Sequence, residues 1–109
     1  MAITYKVLAQ SAPSATTNTD VYTVGAGKQA VVSTITVCNR AGTSATYRVA
    51  IRVAGSALSN EEYITYDAVV PANDTISLTL GITLGAADVV TVYASSANLS
   101  FNLFGTEIA

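Results

Sequence analysis

The segment Ala45–Ala54, ATYRVAIRVA, carries the clearest fold signal in the chain. Apolar and polar residues alternate along it, which is typical of an extended strand with one face in a core. Arg48 and Arg52 are four residues apart and are predicted to project from the opposite, polar face. The predicted core-facing side chains are Tyr47, Val49, Ile51 and Val53.

Similar alternation recurs on both sides of this segment, and no stretch sustains the spacing of an amphipathic helix. Seven or eight short strands are predicted, with turns of Gly, Asn and small polar residues between them. Strands spaced by about 10 to 15 residues are typical of an antiparallel sandwich or a small barrel. The predicted ranges are 3–10, 20–24, 29–39, 45–54, 62–70, 74–84, 88–94 and 99–107.

Several strands also carry predictions about their faces and turns. In the strand 29–39, which is predicted to be central, Val31, Ser33, Ile35 and Val37 share one face. The strand 74–84 has the strongest inward stripe, from Ile76 through Leu80 to Leu84, and Gly81 marks a bulge or a bend. The turns 25–28 and 95–98 have lengths suited to hairpins.

A length of 109 residues fits one domain with one core. We therefore expect an all-β fold: a single antiparallel β-sandwich domain spanning residues 1–109, either Ig-like or jelly-roll-like. Residues 1–19 are predicted to form an N-terminal strand followed by a small polar loop, and this segment is a candidate arm toward neighbouring subunits.

The composition limits the kinds of partner. Only 11% of the residues are charged, against about 25% in typical soluble domains, which predicts a surface covered by neighbouring subunits. A soluble β-protein with a Ser/Thr-rich surface is the alternative. The net charge is −2 without a run of either sign, so nucleic acid and membrane surfaces are disfavoured as partners. The N-terminal residues do not read as a secretion signal, so we expect synthesis in the cytoplasm.

Catalytic chemistry is not indicated by the residue types. Histidine is absent, which removes the commonest general base and metal ligand, and Cys38 is the single cysteine. We expect Cys38 to pack as a small core residue. The pairs Asn73–Asp74 and Asn18–Asp20 resemble turn chemistry. The sequence therefore predicts no catalytic residue, no metal site and no cofactor.

Four residues form the predicted interface: Arg48, Arg52, Tyr63 and Tyr66. Long cationic side chains on a Thr/Ala surface can pair with carboxylates of a neighbouring strand or of another subunit. Tyrosine combines an apolar ring with a polar tip and is enriched at interfaces and sugar sites. The carboxylates considered within the chain are Glu61, Glu62 and Asp67.

The order of segments resembles small β-sandwich virion proteins of tailed bacteriophages, notably those that infect cyanobacteria. The resemblance lies in VYTV (21–24), VVSTITVCN (31–39), YRVAI (47–51), YITYD (63–67), NDT (73–75) with LGITL (80–84), DVVTV (88–92) and LSFNLFGTEI (99–108). It implies a structural role in the virion, as a capsid decoration or cement subunit or as a neck, tail or fibre component.

The resemblance also implies partners. We expect a homo-oligomer of three or more copies that contacts other virion proteins, such as the major capsid protein or neck and tail proteins. A neck, tail or fibre component that binds a host receptor or a carbohydrate through exposed tyrosines is the alternative.

Overall fold

The alternating segments form eight strands in the computed structural model, which describes residues 2–109. The strands are β1 (Ile3–Ser11), β2 (Thr19–Thr23), β3 (Gln29–Asn39), β4 (Ala45–Arg52), β5 (Tyr63–Val70), β6 (Thr75–Leu84), β7 (Val89–Ala94) and β8 (Leu99–Ile108). Two short 3₁₀ turns, Val53–Gly55 and Asn60–Glu62, connect β4 to β5. All eight predicted strands are present, with ends that differ by two residues or fewer.

The strands pair into two four-stranded antiparallel sheets. The first sheet has the order β1-β8-β3-β6, and the second has the order β2-β7-β4-β5. This strand order is that of an eight-stranded jelly roll. The prediction of an all-β sandwich is confirmed, and the connectivity favours the jelly-roll form over the Ig-like one.

The two turns predicted as hairpins instead cross between the sheets. Residues 25–28 connect β2 in the second sheet to β3 in the first, and residues 95–98 connect β7 to β8 in the same way. The hairpin predictions are therefore wrong. A short polar turn can close a hairpin or turn a corner between sheets, because its local sequence does not specify which strands pair.

The core lies between the inner faces of the sheets. Tyr47 of β4 meets Phe101 of β8 edge-on, with 6.3 Å between ring centroids. Burial of each large apolar side chain of this kind stabilises a fold by about 1.5–3 kcal/mol. The larger buried side chains are Val24, Val32, Ile35, Val37, Tyr47, Val49, Val70, Leu84, Val90, Val92, Leu99, Phe101 and Leu103.

A bulge changes the inward face of β3. Its register with both neighbours shifts between Val32 and Thr34, so Val32 and Ile35 both point into the core. The prediction that Val31, Ser33, Ile35 and Val37 share one face is wrong for this reason, because Ile35 and Val37 are buried whereas Val31 is half-buried and Ser33 is exposed. β3 lies between β8 and β6, as a central strand should.

Three further residues that were predicted to face the core, Leu80, Val53 and Cys38, are more exposed than expected because of where they lie in the fold. The inward stripe of β6 is confirmed at Leu84, which is buried, and at Ile76, Leu78 and Ile82, which pack against the core while partly buried. Leu80 departs from the stripe and is 49% exposed on this edge strand. Val53 is exposed because β4 ends at Arg52. Cys38 is only partly buried, since its neighbours Val37 and Asn39 are the residues of β3 that face the core. The predicted bulge at Gly81 is present, with φ of +63°.

Candidate binding surfaces

The strands of the first sheet contain only two charged residues, Lys6 and Glu107. Lys6 Nζ lies 2.7 Å from Glu107 Oε1, and the Tyr22 hydroxyl of the second sheet donates a 2.6 Å hydrogen bond to Glu107 Oε2. Contact with the opposite sheet places this group on the inner side of the first sheet. Within residues 2–109, the outer side of the first sheet therefore carries no charged strand residue, and we call it the uncharged face.

The uncharged face changes in character from one edge to the other. At the β1 edge three large apolar side chains are exposed: Ile3 by 52%, Tyr5 by 81% and Val7 by 48%. Scattered apolar residues are ordinary on a surface, but three on one strand form a patch. Toward β6 the face consists mainly of hydroxyl side chains, among them Thr34, Thr36, Thr75, Ser77, Thr79 and Thr83.

The pKa values of Glu107 and Tyr22, which lie between the two sheets, are both shifted. Hydrogen bonds from Lys6 and then Tyr22 hold the pKa of Glu107 below its usual range. Burial, followed by the hydrogen bond to Glu107, raises the pKa of Tyr22. Sequence reasoning missed this cluster, because Tyr22 and Glu107 are 85 residues apart in the chain.

The outer side of the second sheet carries an aromatic and cationic cluster. The Arg48 guanidinium carbon lies 4.1 Å from the centroid of the Tyr66 ring and 4.2 Å from that of Tyr93. Tyr63 meets Tyr66 edge-on at 4.9 Å. Such contacts between a guanidinium and a ring face are attractive. We call this side the arginine–tyrosine face, and it brings together three of the four predicted interface residues.

Asp67 completes the cluster from an unusual backbone position. Arg48 Nε donates a 2.7 Å hydrogen bond to Asp67 Oδ1, which raises the pKa of Arg48. Asp67 has φ of +51° within β5, a conformation that Asp tolerates better than most residues. The pairing of β4 with β5 is irregular between Tyr47 and Val49, opposite this position. The irregular strand therefore places the carboxylate beside Arg48.

Arg52 belongs to a separate network on the same face. Its Nη1 donates a 3.0 Å hydrogen bond to Asp20 Oδ1, which also accepts a 2.8 Å bond from the Thr91 hydroxyl. Arg52 Nε donates to the Ser56 carbonyl oxygen at 3.0 Å. Of the carboxylates considered from the sequence, Asp67 pairs with Arg48, and Arg52 uses Asp20 instead.

The remaining two carboxylates serve a turn. Glu62 accepts hydrogen bonds from the Ser59 backbone N–H at 2.9 Å and from the Ser56 hydroxyl at 2.7 Å. These bonds lower the pKa of Glu62, with the Ser56 bond having the larger effect. Glu61 accepts a 2.8 Å bond from the Ser59 hydroxyl. Both side chains thus fix the connection between β4 and β5.

No group of three or more His, Cys, Asp or Glu side chains that could hold a metal ion occurs in residues 2–109. The same part of the chain contains no helix of the length and apolar character needed to cross a membrane.

Comparison with known protein families, curated proteins and solved structures finds no match.

Proposed function

We propose that this chain is a non-enzymatic structural subunit of a bacteriophage particle, namely an oligomeric decoration or cement subunit of the capsid. It assembles in the host cytoplasm and docks on the particle through the uncharged face. The supporting observation is the absence of charged strand residues from this face, together with the exposed Ile3, Tyr5 and Val7 at its β1 edge.

A charge-free face suits permanent contact for an energetic reason. Burial of an unpaired charge is strongly unfavourable, whereas Thr and Ser hydroxyls can find partners in a new interface. Four strands about 4.8 Å apart and roughly nine residues long present on the order of 500 Å² of flat face. Standard protein interfaces bury about 800 Å² on each partner. The face is therefore of the same order as a standard interface.

Two further observations support a role in the virion. The order of the strand segments resembles small phage virion proteins, as described above. Eight-stranded jelly rolls occur in viral capsid proteins and in lectins, although fold alone does not define function. Both observations are compatible with a shell component.

The proposal is tested by adding one charge to the uncharged face. Thr36→Lys places a cation on the central strand β3, and we expect at least about a tenfold loss of binding to phage particles prepared without this protein, because the buried cation would lack a partner. The matched control is Thr46→Lys on β4, outside the uncharged face. Cosedimentation with the particles measures both. Failure of the unmodified chain to bind, or equal binding by the two variants, would contradict the proposal.

The alternative proposal is a neck, tail or fibre component that binds a receptor or a carbohydrate. Tyr66 is 58% exposed and lies beside Tyr63 and Arg48, and this exposed aromatic ring favours the alternative. Binding to a glycan array that is lost in Tyr66→Ala and kept in Thr36→Lys would support this alternative over capsid docking.

A further inference from the structure

β1 is the terminal strand of the first sheet, and within residues 2–109 no strand pairs with its outer edge. Ala2 and Ala109 exchange two backbone hydrogen bonds of 2.9 Å each. Hydrogen-bonded and non-hydrogen-bonded pairs alternate in an antiparallel ladder, so Thr4 and Lys6 also bond toward β8. The N–H and C=O groups of Ile3, Tyr5 and Val7 therefore point to the free edge.

These three residues also carry the exposed apolar side chains of the uncharged face. One short stretch thus presents free backbone groups at its edge and apolar side chains on its face. We propose that β1 pairs antiparallel with β1 of a second copy, with Tyr5 on the two-fold axis. Ile3 of each copy then lies opposite Val7 of the other, and each of these pairs exchanges two backbone hydrogen bonds.

The charge pattern is compatible with this register and disfavours one centred on Lys6. With Tyr5 on the axis, Lys6 lies opposite Thr4 of the second copy, so no like charges meet. A register centred on Lys6 would place two lysines opposite each other, which is unfavourable. Lysine on an edge strand normally discourages pairing, but Lys6 is already held by Glu107 at 2.7 Å. A second copy therefore fits this edge without uncompensated charge.

This inference deepens the proposed function and rests on it, because it names the contact between subunits. Pairing through β1 joins two four-stranded sheets into one sheet of eight strands. The two uncharged faces then form one continuous docking surface, with the apolar side chains of both β1 strands along its centre. Assemblies of more than two copies can be built from such pairs.

The test uses the two-fold axis, where residue 5 meets itself. We expect Tyr5→Lys and Tyr5→Glu to weaken self-association about 100-fold or more when each is alone, because like charges are juxtaposed. An equimolar mixture of the two variants is expected to regain the dimer. Sedimentation velocity measures all three samples. The controls are Val69→Lys and Val69→Glu, at a residue of β5 in the second sheet that is 59% exposed, and they are expected to keep the wild-type dimer.

A wild-type chain that is monomeric at the highest attainable concentration would overturn the inference. A dimer that persists in Tyr5→Lys alone would also overturn it. Cosedimentation of Thr36→Lys with phage particles tests the proposed function separately. A protein that binds particles but does not pair through β1 would retain the proposed function and lose this inference.

Discussion

Gly105 of β8 packs directly against the backbone of β3. A Cβ atom at this position would overlap the Val31 carbonyl oxygen and would lie 3.1 Å from Leu8 Cδ1. We therefore expect Gly105→Ala to lower the free energy of unfolding by about 3 kcal/mol or more. Urea unfolding measures the change. The control is Gly42→Ala, because a Cβ at residue 42 meets open space, and equal stability of the two variants would contradict the expected close approach.

Glu107 makes the stability of the fold depend on pH. Its pKa is lowered in the folded state, chiefly by Lys6, so the ion pair stabilises the fold above the ordinary Glu pKa of about 4.3. That stability is lost as the pH falls through the folded-state pKa. We expect Glu107→Gln to cost about 1 kcal/mol at pH 7 and to be nearly neutral in strong acid.

Thermal unfolding of both proteins between pH 7 and pH 2 measures this difference. A gap between wild type and Glu107→Gln that stays constant across this range would show that Glu107 does not provide the pH dependence. Tyr22→Phe removes one of the two donors to Glu107. In the Tyr22→Phe background, the stability difference between Glu107 and Glu107→Gln at pH 7 is expected to be smaller than in the wild type.

Individual residues differ in how well the sequence predicts their positions. Tyr47 was placed in the core correctly, because apolar and polar residues alternate on both sides of it from Ala45 to Val49. The stacking of Arg48 between Tyr66 and Tyr93 was not predictable, since it requires β5, β4 and β7 to be adjacent in one sheet. Asp20 was missed as the partner of Arg52 for the same reason.

At the scale of the strand, β6 shows how an edge position weakens an inward stripe. Leu84 is 2% exposed, whereas Leu80 of the same stripe is half exposed. We expect Leu84→Ala to cost about 2–5 kcal/mol and Leu80→Ala less than about 1 kcal/mol. Urea denaturation of both variants measures the contrast. Similar losses for the two would mean that β6 is covered along its whole length.

Strand ends were predicted closely because alternation and turn residues are local properties of the chain. The pairing of strands was not predictable, as the turns after β2 and β7 show. The bulge at Ser33 was also missed, since it is defined by register with β6 and β8 and not by any signal in the strand itself. Gly81 was an exception, because glycine within a strand indicates a bulge.

At the scale of the molecule, charge is divided unequally between the two outer faces. The four charged residues in the strands of the second sheet form two ion pairs, Arg48 with Asp67 and Arg52 with Asp20. The strands of the first sheet direct their two charged residues inward. A charged fraction of 11% predicted a surface poor in charge, but the division between faces depends on strand order.

The proposed docking of the uncharged face on a phage capsid is tested most directly by a cryo-EM map of phage particles that contain this chain. The expected result is density for eight-stranded jelly rolls on the capsid exterior, with Thr36 and its neighbours on β3 against the shell and Arg48 facing outward. Density that places the arginine–tyrosine face against the shell, or a particle that lacks this chain, would contradict the proposed function.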